Sequence, residues 1–287
     1  MENHKELPNR IKELLAYLNG MLGGKEEAIR LTLLSAIAGE NIFLSGPSFR
    51  DKDILVHCVS RAFKSHYYSS YEPPYDEGSD YIGLINSDFA RVPINIHGAV
   101  ASQKTQPFNL EENVPEEYIA LHVQVNSASN DEAFFKFVEN PDDYVSPTKE
   151  MFETLLISNE DIGNWRDEID KVRLSDDAKK LISEIRRESF EYFVSDFRWK
   201  KIVHVLKTCA FLNGRDKVDL IDCSLIDYAI PNHVVEDILK QKAINRELDI
   251  KQHPQYKKNI FVQQKYFKIL SNSVADLKLE KEHISVF

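Results

Sequence analysis

The run ENIFLSGPSFRDKDILVHCVSRAF, Glu40 to Phe63, decides the fold. Ile42-Phe43-Leu44 is an apolar run of strand length. A Gly-Pro turn follows at Gly46-Pro47, then Lys52, then an amphipathic helical stretch from Asp53 to Phe63. A buried strand, a glycine turn and a lysine at a helix start outline a loop that cradles phosphate. In such a loop backbone N–H groups curl around the oxygens, and small residues let them approach. The filling of this loop is wrong for that chemistry. The motif G-x-x-x-x-G-K-[ST] is here Gly46-Pro47-Ser48-Phe49-Arg50-Asp51-Lys52-Asp53. The first glycine and the lysine survive. Asp51 replaces the small residue before the lysine, and Asp53 replaces the hydroxyl that would hold Mg²⁺. At ~4 Å two like charges cost about 4 kcal/mol at an effective dielectric of ~20. Arg50 and Lys52 are the neighbouring cations expected to offset part of that cost.

Working outward, helical spacing marks Ile11–Leu22 and Glu26–Ala38. Short apolar runs at Tyr81–Ile85 and Tyr118–Val125 read as further strands. Strands alternating with helices indicate a parallel sheet. Tyr67–Asp80 reads as a loop from its Pro, Gly, Ser and Asp content, with Tyr67, Tyr68, Tyr71 and Tyr75 as a possible contact surface. Residues 127–150 are polar and broken by Pro141 and Pro147. From Ser158 onward only helices are expected: Asn159–Val172, a helix capped at Ser175-Asp176-Asp177 and running to Glu188, and Ser195–Arg215, closed by Gly214. Residues 222–243 give one or two more, and a last amphipathic helix starts at Phe261. The fold class is therefore α/β then all-α, a parallel sheet sandwiched by helices followed by a helical subdomain. The expected division is 1–150, 151–250, and a helical tail over 251–287.

The 287 residues carry a formal net charge of −10, which argues against a general nucleic-acid or anionic-membrane binder. Cys58, Cys209 and Cys223 form no C-x-x-C pair, which suits a reducing compartment and core packing. The N-terminal stretch lacks an apolar signal core, so a cytoplasmic location is expected. His97, His122, His204 and His233 are scattered, and no metal-ligand or Ser/His/Asp cluster stands out. His204 reads as a core histidine on an apolar helix face.

Two longer stretches carry a resemblance. MLGGKEEAIRLTLLSAIAGENIFLSGP, from Met21, resembles the opening of MoxR-type AAA+ ATPases. YVSDFRWKKIVHVLKTCAFLNGRDKVDLIDCSLI, from Tyr192, is similar to the lid of their RavA branch, as is SNEDIGNWRDEIDKVRLSD, from Ser158. The resemblance covers roughly residues 8–240 and implies a P-loop AAA+ core followed by a helical lid subdomain. It places vestigial nucleotide-binding positions at Gly46, Lys52, Asp53, Asn126 (sensor 1, ending the strand after Walker B) and Arg198 (sensor 2). Walker B should end in Asp-Glu, one to orient the metal and one to prepare water. Here the strand ends Asn86-Ser87, with Asp88 one residue late. The arginine-finger region EAFFKF offers only Lys136. The chain ends at Phe287, before the β-rich partner-binding domain that follows the lid in RavA proteins.

These losses imply a catalytically inactive homologue acting through protein–protein interaction, regulating or scaffolding its partner. That partner is expected to be an active MoxR-type ATPase, a von Willebrand A-type protein or another component. No cofactor is then expected. The alternative is a non-standard ATPase with chemistry on Lys52 and Asp53 or Asp88, which would need ATP and Mg²⁺. Because two carboxylates face the phosphate position, Arg198 is expected to reach Asp51 or Asp53 and lock the cleft. The sequence leaves the oligomeric state open.

Overall fold

The computed structural model describes residues 6–22, 24–46, 49–60, 62–64, 67–69, 82–86, 99–101, 119–125, 131–139, 155–190, 194–230, 234–244 and 258–262. Helix α1 (Leu7–Met21) opens with Pro8 in its first turn, where the missing N–H is not needed. Its stripe of Ile11, Leu14, Leu15 and Leu18 is buried, as the spacing predicts. Helix α2 (Glu26–Ala38) is buried around most of its circumference and ends on Gly39 in the left-handed region. Strand β1 (Asn41–Ser45) follows, with Ile42, Phe43 and Leu44 buried. Helix α3 is Phe49–Ser60.

A five-stranded sheet is built on β1. Its other members are β2 (Tyr67–Ser69), β3 (Ile82–Asn86), β4 (Ala99–Ala101) and β5 (Ile119–Gln124). All pairs are parallel, in the order β2-β3-β4-β1-β5. Two strands depart from the sequence reading. Tyr67–Ser69 was expected in a loop, and Ala99–Ala101 was not expected as a strand. Both are three residues long, too short for a period-2 pattern to emerge. Helix α4 (Asp131–Val138) also lies where only a polar, interrupted stretch was expected.

The helical part holds α5 (Asn159–Lys171), α6 (Asp176–Glu188), α7 (Asp196–Leu212), a 3₁₀ helix (Asp222–Tyr228) and α8 (Val234–Ile244). Serines cap the first three. Ser158 forms a capping box with Asp161, and the hydroxyls of Ser175 and Ser195 accept from the N–H groups of Ala178 and Arg198. A two-residue parallel pair, β6 (Arg173–Leu174) with β7 (Lys217–Val218), qualifies the expectation of helices alone. It joins the ends of α5 and α7. The tail reading from Phe261 lies mostly outside the described residues. Lys258–Val262 is described, and Phe261 is fully buried. Asn213 Oδ1 accepts from the Ile260 N–H at 2.8 Å, and Asn259 Nδ2 donates to the buried Asp222 at 2.8 Å. Arg215 holds both oxygens of Asp222 at 2.6 Å.

The expected boundary near residue 150 falls outside the described residues. The buried apolar residues of sheet and helical part belong to one hydrophobic cluster. Chain after α3 pairs with chain before α5: the Ile157 N–H donates to Ala62 O at 2.8 Å, and the Lys64 N–H to Ile157 O at 2.9 Å. Among the described residues no helix is long and apolar enough to cross a membrane.

Candidate functional site: the degenerate phosphate loop and the lid contact

Gly46 is buried with φ of 143°, and a Cβ there would stand 2.3 Å from the carbonyl oxygen of Val125. Only glycine allows this approach of the loop to the end of β5. The Val125 N–H donates to Ser45 O at 2.7 Å, which fixes the same contact. Lys52, at the end of the first turn of α3, is fully buried, and its ammonium donates to Gly46 O at 2.9 Å. The lysine thus reaches back to the residue that follows β1.

Asp51 does not stand as an uncompensated charge. Its carboxylate accepts from Lys25 Nζ at 2.9 Å. Part of the offset was expected from Arg50 and Lys52; Lys25, just ahead of α2, is a partner that the expectation did not name. Its distance of 26 residues from Asp51 explains why sequence spacing did not show the pair. The side chains of Arg50, Asp53 and Lys136, and all of Pro47, Ser48, Ser87, Asp88 and Asn126, lie outside the described residues. Asn86 ends β3, in register with Ala101 of β4. Asn126 follows β5, the strand read at Tyr118–Val125. The strand β4, which the sequence reading did not name, comes between β3 and β5 in the chain, and β5 lies on the other side of β1.

The locking expectation turns on Asp53 as well as Asp51, and the Asp53 side chain lies outside the described residues. Arg198 is buried in the first turn of α7. Its Nε donates to Ile119 O at 3.1 Å, and one Nη donates to Ala229 O at 2.6 Å and lies 3.1 Å from His122 Nε2. Its bonds thus run to β5 and to the end of the 3₁₀ helix, while Asp51 is bound to Lys25. A guanidinium with five fixed donors suits two carbonyls and a ring nitrogen. Burial, with the Arg198 charge beside it, pushes His122 down to about 3. The ring is therefore neutral and offers Nε2 as an acceptor. His122 packs over Phe43 of β1, with ring centroids 5.9 Å apart.

Further polar bonds join the helical part to the sheet part. Glu40, just ahead of β1, accepts from Lys201 Nζ at 2.9 Å and contacts His204 Nδ1 at 3.1 Å. Burial raises the Glu40 carboxyl, but hydrogen bonds from His204 and Lys201 outweigh it and hold it below the usual range. His204 is thus satisfied by a carboxylate, and half-buried rather than enclosed in the core. The hydroxyl of Tyr228 donates to Glu27, and Arg10 binds Asp161 at 3.0 Å. Sequence reading gave no partner to Glu40 and Lys25 and left His122 among scattered histidines, since their contacts are distant in sequence.

Among the described residues no group of three His, Cys, Asp or Glu could hold a metal ion. Residues 174–244 match the AAA lid domain family. The whole fold is similar to a crystal structure from Cytophaga hutchinsonii named as a "putative ATPase". The TM-score is 0.55 at 18% identity, over 80% of this chain and 88% of that one. The low identity speaks for the fold alone. The chain is thus an α/β core of AAA+ type followed by a helical AAA lid domain.

Proposed function

We propose that this chain is a MoxR/RavA-like AAA+ homologue that does not hydrolyse ATP and acts through protein–protein contact. It would regulate or scaffold an active ATPase, a von Willebrand A-type protein or another partner. Asn86 at the end of β3 carries this reading. Metal-assisted attack of water needs carboxylates there, and an amide neither takes a proton nor carries charge for a metal. Arg198 fits the same view, because two of its nitrogens are engaged with the carbonyls of Ile119 and Ala229. The three cysteines are free and buried, which suits the cytoplasm as the working compartment.

One observation favours a second reading. Lys52 and Gly46 retain the strand–loop–helix geometry, and Lys25 neutralises Asp51. These residues fit a phosphate group, so ATP could bind without turnover. The fuller alternative is slow hydrolysis with Mg²⁺ on Asp53 or Asp88. Phosphate release from ATP and Mg²⁺ tests both. We expect release at the level of a protein-free control. Mg²⁺-dependent turnover that disappears in Lys52→Ala would overturn the proposal. A rise in melting temperature with ATP, unaccompanied by turnover, would identify the binding-only state.

A further inference from the structure

Among the described residues, the chain beyond α8 is Lys258–Val262, joined to α8 through residues 245–257. Phe261 is fully buried and Val262 nearly so, and both belong to the hydrophobic cluster of the molecule. The segment sits where α7 ends and the 3₁₀ helix begins. Asn213, the C-cap of α7, accepts from the Ile260 N–H at 2.8 Å and donates to Asn259 Oδ1 at 3.3 Å. Asp222, fully buried at the start of the 3₁₀ helix, accepts from Asn259 Nδ2 at 2.8 Å. The Cys209 sulfur lies 3.6 Å from Asn259 Oδ1.

Two features separate this contact from ordinary core packing. The segment shapes itself: Asn259 Oδ1 also accepts from the Phe261 N–H at 3.0 Å, a local turn that fixes the carboxamide relative to the ring. The lid side, in turn, keeps polar partners when the segment leaves. Asp222 retains both Arg215 nitrogens at 2.6 Å and the Asp219 N–H at 2.8 Å. Asn213 Nδ2 retains the Cys209 carbonyl at 2.7 Å, and the Cys209 thiol retains Asp222 at 3.3 Å. An opening that leaves a buried charge unpaired is costly, and this one leaves none. Charge also selects the carboxamide. Asp222 needs a donor at this place, and a carboxylate instead of Asn259 would face it directly.

We infer that the lid carries a docking site for a short extended peptide of Asn-x-Phe type, filled here by the chain's own Asn259-Ile260-Phe261 and able to release it while the lid stays folded. Asp222 and Asn213 recognise the carboxamide, Asn213 also takes one backbone N–H, and the ring fills an apolar recess. Occupancy of the site sets where residues 263–287 leave the lid. The inference rests on no nucleotide chemistry, so its failure would leave the proposed function untouched.

Cys209 reports release, because Asn259 stands against its sulfur and a buried thiol reacts only when uncovered. Cys58, buried in α3, is the control for opening of the whole fold. The full chain is treated with a low concentration of a maleimide under native conditions, and the labelling rate of each cysteine is read by peptide mass mapping. Cys209 should label at least about tenfold faster than Cys58. Phe261→Ala should speed Cys209 about a hundredfold and leave Cys58 unchanged. A synthetic peptide of residues 256–264, added to that variant, should slow Cys209 again, whereas the same peptide carrying Asn259→Asp should not. If Phe261→Ala loses its helical circular dichroism, Asn259→Ala replaces it, with an effect of about tenfold. Two outcomes would overturn the proposal. One is Cys209 and Cys58 labelling together in the wild-type and variant chains, which makes the segment part of a single cooperative core. The other is a wild-type peptide that gives Cys209 no protection.

Discussion

Strand β1 has two ends with different fates. Beyond its last residue, the Gly46 carbonyl accepts from the Lys52 ammonium, and Lys25 pairs with Asp51. At its start, Glu40 is bonded to Lys201 and His204 of the lid, and nearby Arg198 and His122 join the lid to β5. The described bonds at the loop end tie the loop to itself and to the start of α2. Those at the lid end tie two parts of the molecule together.

Four measurements would break or sharpen this contrast. The largest effect should come from the loop end. Gly46→Ala places a Cβ against a backbone oxygen at positive φ, and should cost about 3 kcal/mol or more in urea unfolding. A small cost would mean that the loop's shape is not structural either. Arg198→Ala should follow closely, at about 2–3 kcal/mol, by stripping bonds from two buried carbonyls. It should not alter any ATP-induced change in melting temperature. If it abolished such a change, Arg198 would be a nucleotide sensor after all.

Acid gives the third test. The folded value of His122, about 3, lies below its unfolded value of 6.5, so the unfolded chain takes up the proton first. The stabilisation is complete above the unfolded value and shrinks as pH falls, with about 2 kcal/mol lost by about pH 5. Glu40 is also held below its ordinary 4.5, so its contribution fades only below that value as pH falls. The same slope in His122→Gln would assign the acid sensitivity to other groups. The smallest effect is expected for Lys52→Met. Exchanging a buried ammonium for an apolar side chain of similar length should change stability by less than about 1 kcal/mol. A larger loss would show that Lys52 still holds the loop together.

Much of the frame was legible because its signals are local. Ile42-Phe43-Leu44 announced a buried strand, and Ser158, Ser175 and Ser195 announced three helix starts. Ala99–Ala101 left no signal, since three small apolar residues look the same in a strand, a helix or a loop. Of the site, Gly46 and Lys52 could be read from spacing. The partners could not. Lys25 and Asp51 are far apart in sequence, and Glu40 and His204 farther still. Arg198 was found, but its acceptors are backbone carbonyls, which every residue carries and no sequence advertises.

The bonds between lid and sheet part also bear on how the chain folds. The Lys201–Glu40 contact spans 161 residues, the Arg10–Asp161 contact 151, and the Tyr228–Glu27 contact 201. Contacts this distant in sequence form late, because chain entropy must be lost before they give anything back. During synthesis α1, α2 and the sheet emerge from the ribosome before the helices that cover them. Until α7 and the 3₁₀ helix follow, the apolar face of α2 and the strand end at Glu40 lack their cover. The lid thus acts as the closing step of the whole molecule's assembly, and its loss would leave an aggregation-prone intermediate rather than a smaller working domain.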